Sequence, residues 1–282
     1  MQNNLGTLYV VATPIGNLQD MTFRAIEVLK QVDRIVAEDT RHSTPLLKHF
    51  SIQKPILSMH DFNESERQEK ILDYLLQGES IALICDAGTP LINDPGFKLV
   101  NQAKKKEIKV IPIPGACAVI IALCAAGLST NKFCFEGFLP AKKEARCQQL
   151  KNLIHETRTI IFYEAPHRLI ASLEDMVEIF GGNRPATVAR ELTKIYETIM
   201  TSTLQELTEY YASHADEQRG EIVLLVEGVV EDQFSSAVLP ETVLEILLEE
   251  LSIKQATTLA SKITGERKNK LYEMALLKKK GD

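Results

Sequence analysis

No apolar run in this 282-residue chain approaches the ~18 residues that a membrane-spanning helix needs. The opening residues, Met1 to Gly6, carry neither a basic nor an apolar leader segment, so no secretion signal is expected. Cysteine is scarce. Cys85, Cys117, Cys124, Cys134 and Cys147 are odd in number and form no C-x-x-C pair. Most stand in apolar runs and read as free, buried thiols of a reducing cytoplasm, not as disulfides or a zinc site. The six histidines show no H-x-x-x-H spacing, so no metal site is expected. No G-x-G-x-x-G follows the first apolar strand, which removes the dinucleotide-binding fingerprint. Basic charge is short as well. Against 38 Asp and Glu there are 32 Lys and Arg, a net charge of −6, which argues against non-specific nucleic-acid binding by the chain as a whole. What is present is the composition of a soluble globular protein, 45% hydrophobic and 25% charged, long enough for one to two domains.

The chain is organised around residues 80–96. Ile81 to Cys85 is an apolar run of strand length that ends in Asp86. Gly88, Pro90, Pro95 and Gly96 then punctuate a short loop, with Asp94-Pro95 reading as a helix N-cap followed by proline at the first helical position. A buried strand feeding a tight loop that opens a helix is where open α/β sheets bind ligands, and it is also an ordinary strand-to-helix turn.

The same alternation runs along the chain. Strands are expected at 7–13, 34–37, 55–58, 81–85 and 109–113. Helices follow from Thr22, with Phe23, Ile26 and Leu29 on one face, from Ser43-Thr44-Pro45, from a Ser65 cap to Gly78, after Asp94-Pro95, and over 116–126. This predicts an α/β fold with a mostly parallel sheet. After Gly127 the pattern restarts, with strands at 133–138, 159–163, 186–189, 196–203 and 221–227. Helices are expected at 142–154 (basic-faced), from Pro166, and at 204–213, with more antiparallel pairing than before. The expected division is 1–118 and 119–230 as two α/β domains, then a polar linker at 229–237. A small extension, 238–282, follows with helices at about 240–250, 254–263 and 266–279. Ser252 to Gln255 is a capping box. The extension concentrates Lys254, Lys262, Arg267, Lys268, Lys270, Lys278, Lys279 and Lys280, either a solvated face or an RNA- or partner-contacting appendage.

Four strand ends share one feature. Charged residues follow apolar strands at Glu38-Asp39-Thr40-Arg41, at Asp86, at Glu164 with His167 and Arg168, and at Arg190-Glu191 with Lys194. Placed at one edge they would line a ligand cleft; singly, each acid would only cap the next helix.

These residues carry a resemblance. Residues 13–18 (TPIGNL), 38–41 (EDTR), 86–90 (DAGTP), 94–96 (DPG), Pro114-Gly115, 136–140 (EGFLP), 163–168 (YEAPHR) and 190–194 (RELTK) resemble, in order, the ribosomal RNA small subunit methyltransferase I group of the tetrapyrrole methylase superfamily. The likeness spans residues 7 to about 228, and the basic tail is similar to the group's C-terminal extension. It implies two α/β domains with S-adenosyl-L-methionine in the cleft between them, held by loops rather than by a glycine fingerprint. It implies 2′-O-methylation of a cytidine in the decoding centre of 16S rRNA, on the 30S subunit, by a cytoplasmic homodimer with no membrane partner. Carried over by motif, Pro14, Gly16, Asn17, Asp86, Ala87, Gly88, Thr89, Pro90, Asp94, Pro95, Pro114 and Gly115 would line the cofactor. Asp39, Glu38, Glu164 and Glu191 are the candidate bases. Arg41, His167, Arg168, Arg190 and Lys194 are the candidate RNA contacts, with His167 also open to a role as base or as a structural contact. The sequence does not choose among the acids. A related methyltransferase with another acceptor and a non-catalytic RNA-binding module are the other readings.

Overall fold

Apolar runs ending in polar residues become two five-stranded sheets in the computed structural model, which describes residues 5–59, 64–229 and 240–278. The first sheet contains β1 (Thr7–Val11), β2 (Arg34–Ala37), β3 (Ile56–Ser58), β4 (Ile81–Ile84) and β5 (Lys109–Ile113). All pairings are parallel, in the order β3-β2-β4-β1-β5. Leu8, Val36, Ile81 and Leu83 pack with Ile71, Leu75 and Leu99 on one face; Val11, Ile35, Ala82 and Ile84 pack with Ala25, Leu29 and Leu47 on the other. Burial on both faces is why these strands read as continuous apolar runs. The covering helices are α1 (Phe23–Gln31), α2 (Thr40–His49), α3 (Glu64–Leu76) and α4 (Phe97–Lys105). From β1 the chain crosses through α1 to β2 on one side; from β4 it crosses through α4 to β5 on the other. The carboxyl ends of β1 and β4 therefore flank the topological switch point of the sheet.

Four helix expectations are corrected here. The second helix starts at Thr40, not at Ser43, because Asp39 accepts the Arg41 N–H (2.8 Å) as N-cap; Pro45 lies inside the helix. The fourth starts at Phe97 with Gly96 as N-cap, because Gly96 at φ 121° turns the chain after Pro95. Ser65 lies inside α3 rather than before it. Phe23 is exposed; of the expected face, Leu29 is buried and Ile26 packs against the core, with Ala25 buried beside them.

The second sheet contains β6 (Phe133–Phe138), β7 (Thr159–Glu164), β8 (Pro185–Arg190), β9 (Thr198–Thr203) and β10 (Ile222–Val226), in the order β6-β7-β10-β8-β9. Three pairings are antiparallel, as expected; β6 and β7 are parallel, because α6 (Lys143–Asn152) crosses between them. With α6, α7 (Leu169–Phe180) and α8 (Leu204–Ser213) cover one face around Phe162, Leu173, Met176 and Tyr211. Pro166 opens a 3-10 turn, and α7 itself begins at Leu169. The other face, with Ile161, Val223 and Leu225, is covered by α5 (Ala118–Ala125) through Val119, Ala122 and Leu123. Each such fully buried aliphatic side chain contributes about 1.5–3 kcal/mol. Two further expectations change. Arg146 of α6 is buried, not part of a solvated basic face. Cys124 is exposed, Cys117 and Cys147 are half-buried, and all five thiols are free.

Both sheets lie in one compact unit, residues 1–154 with 158–227. Residues 155–157 with 228–282 form a second, whose helices are α9 (Pro240–Glu250), α10 (Ile253–Thr264) and α11 (Lys268–Lys278). Leu244, Ala256, Ala260, Leu271 and Ala275 are its core. Gln255 accepts from Ser252 Oγ (2.7 Å) and N–H (3.4 Å), closing the expected capping box. Lys254, Lys262, Arg267, Lys268 and Lys270 are exposed. Lys279, Lys280 and nearly all of the expected linker lie outside the described residues. Among the described residues, no helix is long and apolar enough to cross a membrane.

Candidate active site

Three loops are knitted together at the switch point. Thr13 and Gly88 exchange backbone hydrogen bonds (2.8 and 3.2 Å), Thr13 Oγ1 donates to Cys85 O (3.3 Å), and Thr89 Oγ1 donates to Ala116 O (2.9 Å). Gly88 sits at φ +87°, and a Cβ there would lie 3.2 Å from Ile15 Cγ2, so both conformation and contact call for glycine. The loop after β4 also holds Leu91 (φ 74°) and Asn93 (φ 66°) in the left-handed region, and the loop after β8 does the same with Glu191 (φ 51°) and Thr193 (φ 68°). Such strain costs about 1–3 kcal/mol per residue and collects at functional sites.

Between these loops and the second sheet lies a cavity of about 400 Å³. Its apolar wall is Ile15, Ile92, Cys117, Phe138, Tyr163, Leu192 and Val223; its polar groups are Thr89, Asn93, Asp94, Glu164 and Glu221. A register shift in β6 between Phe135 and Phe138 aims Phe138 at the Tyr163 ring (centroids 5.4 Å). Burial pushes the Asp94 carboxyl up from its ordinary value and holds the Cys85 thiol and the Tyr163 phenol protonated.

A second, open hollow is lined by Gly16 to Gln19, His49, Glu191 and Thr193 to Ile195. Lys194 lies across Gly16, where a Cβ would come within 2.4 Å of Lys194 Cγ, and its ammonium reaches Glu191 Oε1 (2.8 Å) and Glu221 Oε2 (3.1 Å). Ile195 and Tyr196 beside it are exposed.

The predicted residues divide between these places. Ala87, Gly88, Thr89 and Asp94 line the cavity, while Gly16 and Asn17 line the hollow. Pro14, Pro90, Pro95, Pro114 and Gly115 are in neither lining. Asp86 turns toward α2 instead. Its Oδ1 accepts the Asp39 N–H (3.1 Å) and its Oδ2 meets His42 Nδ1 (2.9 Å). Half-buried Glu38 precedes this corner. Asp39 is clamped by the Arg41 guanidinium (2.6 Å), which holds its carboxyl well below the usual range. Glu191 is pushed up by burial, but Lys194 and the Glu221 N–H outweigh this and hold it below the ordinary value. Buried Glu164 accepts from the Ala165 N–H (2.7 Å), Arg168 (2.6 Å) and Ser172 Oγ.

Two residues expected to contact RNA have partners inside the protein. Arg168 is an internal strut between Glu164 and Leu139 O (3.1 Å), because the 3-10 turn folds it back toward Glu164, four residues earlier. Arg190 is buried and donates to Thr198 Oγ1 (3.1 Å), because strand alternation turns it away from the face that Glu191 uses. Arg41 keeps 87% of its side-chain surface, and His167 is exposed. Sequence reasoning missed the apolar wall. Tyr163 and Val223 pair across β7 and β10, a relation that only the register reveals. It also left out His42, although the residue stands beside the charged strand end that it did single out.

The chain matches the family of Tetrapyrrole (Corrin/Porphyrin) Methylases over residues 7–208 and the RsmI C-terminal HTH domain over residues 236–279. It is 49% identical to the ribosomal RNA small subunit methyltransferase I of Haemophilus influenzae, over 98% of both chains. To that of Pseudomonas aeruginosa it is 52% identical, over 96% of this chain and 97% of the other. The fold is shared with diphthine synthase (TM-score 0.59, 12% identity, 79% of this chain and 89% of that one). It is shared also with uroporphyrin-III C-methyltransferase of Thermus thermophilus complexed with S-adenosylhomocysteine (TM-score 0.55, 15% identity, 79% and 97%). A parallel sheet with its cavity at the switch point, a mixed second sheet and near full-length identity lead to one conclusion: this chain belongs to the tetrapyrrole methylase family, in its ribosomal RNA small subunit methyltransferase I group.

Proposed function

We propose that the protein is an S-adenosyl-L-methionine-dependent methyltransferase of the small ribosomal subunit that modifies a cytidine 2′-oxygen in the decoding centre of 16S rRNA, in the cytoplasm. The observation that carries this reading is the cavity, built by loops after β1 and β4 and closed by β7 and β10. Its volume lies in the range of small-molecule sites, about 300–1,000 Å³. Its lining fits the donor. Ile15, Ile92 and Tyr163 suit an adenosyl group, the backbone of Ala87 and Thr89 offers hydrogen bonds, and Asp94 and Glu221 suit a cationic ligand. Bound there, S-adenosyl-L-methionine supplies an electrophilic methyl on a positively charged sulfur. The chain's own task is to align the acceptor oxygen, exclude water and handle the hydroxyl proton. The α/β halves, 1–118 and 119–230, divide this work, since both line the cavity, and the extension, 238–282, supplies exposed basic charge. Calorimetry with S-adenosyl-L-methionine tests the reading. Binding heat together with label transferred to 30S subunits is expected. Absence of heat would favour a non-catalytic module, and label on another acceptor a related methyltransferase.

Arg41 is placed to meet phosphate. Arg41→Ala is expected to weaken RNA binding and reduce its salt slope by roughly 0.7–0.9, while donor affinity and melting temperature hold, since a solvent-screened surface pair adds little to stability. A lowered melting temperature with unchanged salt slope would assign Arg41 to pairing with Asp39 alone. Removing residues 238–282 is expected to leave donor binding intact and to lower rRNA methylation together with the salt slope. Unchanged rate and slope would make the basic tail a solvated face. The homodimer is proposed to use α5, which is apolar all round yet leaves Ile120 and Cys124 exposed. Light scattering is expected to give twice the chain mass, and Ile120→Asp to give the monomer.

A further inference from the structure

Two candidate acids at the strand ends, Asp39 and Glu191, are held below their ordinary values, and a third, Glu164, is buried with its oxygens occupied. Asp39 is ion-paired to Arg41, Glu191 to Lys194, and Glu164 takes three donors. A carboxylate stabilised in its charged form is a weak base. His42 is different. It stands in the first turn of α2, largely exposed, with Nδ1 2.9 Å from Asp86 Oδ2. Asp86 directly precedes Ala87 and Gly88 of the cavity lining and is anchored through its other oxygen by the Asp39 N–H (3.1 Å). A carboxylate accepts, so in the neutral imidazole Nδ1 carries the hydrogen and Nε2 keeps the lone pair. This is an imidazole held by a carboxylate, beside the loop whose next residues line the cavity.

We propose that His42, oriented by Asp86, is the general base that takes the proton of the attacking ribose hydroxyl. The inference rests on the methyl-transfer reading above. The ribose oxygen forms its bond to the methyl carbon as the carbon–sulfur bond breaks, and that electron pair stays on sulfur. The hydroxyl proton passes to His42 Nε2 and from there to water. Asp86 is the positioning residue. The charged groups facing the imidazole are Asp86 and Asp39, which favour its protonation, and Arg41, which opposes it; the balance lifts His42 above its ordinary value. The base form therefore appears as pH rises through that value, and kcat rises with it.

The test uses the full-length protein. His42→Gln is expected to lower kcat on 30S subunits by about 10²–10⁴-fold, with calorimetric affinity for S-adenosyl-L-methionine and melting temperature unchanged. In Asp86→Asn the imidazole loses its main stabilising charge, so the rise of kcat moves to lower pH. Nitrogen-15 NMR of the imidazole, on protein without donor, is expected to show the Nδ1–H form and a titration midpoint that falls in Asp86→Asn. An unchanged kcat in His42→Gln, or a midpoint indifferent to Asp86→Asn, would overturn the proposal. A wild-type protein with no activity on 30S subunits would overturn the reading beneath it, and the proposal with it.

Discussion

Asp175→Ala is expected to cost about 3–5 kcal/mol of stability, the usual cost of stripping one partner from a buried ion pair. Asp175 on α7 is 2% exposed and Arg146 on α6 is 4% exposed, and they meet through Nε and Oδ2 at 2.7 Å. Lys143 Nζ stands 3.4 Å from the other carboxylate oxygen, and Arg146 Nη1 reaches the carbonyls of Pro140 (3.4 Å) and Ala141 (3.3 Å). The pair thus ties α6 to α7 and to the chain leaving β6. Without Asp175 the guanidinium stays buried with only carbonyls for company. Native stability is about 5–15 kcal/mol, so the loss is a large part of the whole. Urea titration should show a lowered midpoint with the slope unchanged. The double change Arg146→Met, Asp175→Leu should recover most of the loss, because it removes both charges and fills the space. A loss below about 1 kcal/mol for Asp175→Ala would mark the pair as no better than a surface one.

Gly88→Val is expected to abolish donor binding in a protein that still folds. At φ +87° any side chain is strained, by about 1–3 kcal/mol, and the Cβ meets Ile15 Cγ2 at 3.2 Å. Ile15 lines the cavity, so relief of the contact comes by moving the wall or by flattening the turn that faces the ligand. Either way the backbone of Ala87 to Thr89 leaves its place. Gly88→Ala brings the same strain with less bulk and should weaken binding at least about tenfold, or 1.4 kcal/mol. Calorimetry beside thermal melts separates affinity from folding. Unchanged affinity in folded Gly88→Val would remove this loop from the donor site.

Much of the fold is legible in the sequence where local chemistry and burial agree. Ile35 to Ala37 and Ile81 to Ile84 can only be buried strands, and Ser252 announces a helix that the structure caps as expected. Misreadings arise where two signals compete. Asp39 and Ser43 can both cap α2, and Asp39 prevails by its bond to the Arg41 N–H, which leaves Pro45 inside the helix at the loss of one backbone bond. Asp94-Pro95 has the composition of a helix start, but the φ of Gly96 is a property of packing, with Leu83 close against it. For the site, the sequence reveals which loops matter but not which way their side chains turn. Nothing in the sequence announces that Arg168 and Arg190 meet Glu164 and Thr198. Asp86 reads as a ligand to the donor, yet it spends both oxygens on α2.

The central claim is methyl transfer to a ribose of the small subunit, and its products report on it directly. The protein would be incubated with 30S subunits lacking the modification and S-adenosyl-L-methionine labelled in the methyl group. The 16S rRNA would then be digested to nucleosides and resolved by mass spectrometry. The account predicts label in 2′-O-methylcytidine alone, from a fragment of the decoding centre. Label on a base, on another nucleoside or on no RNA at all would contradict it.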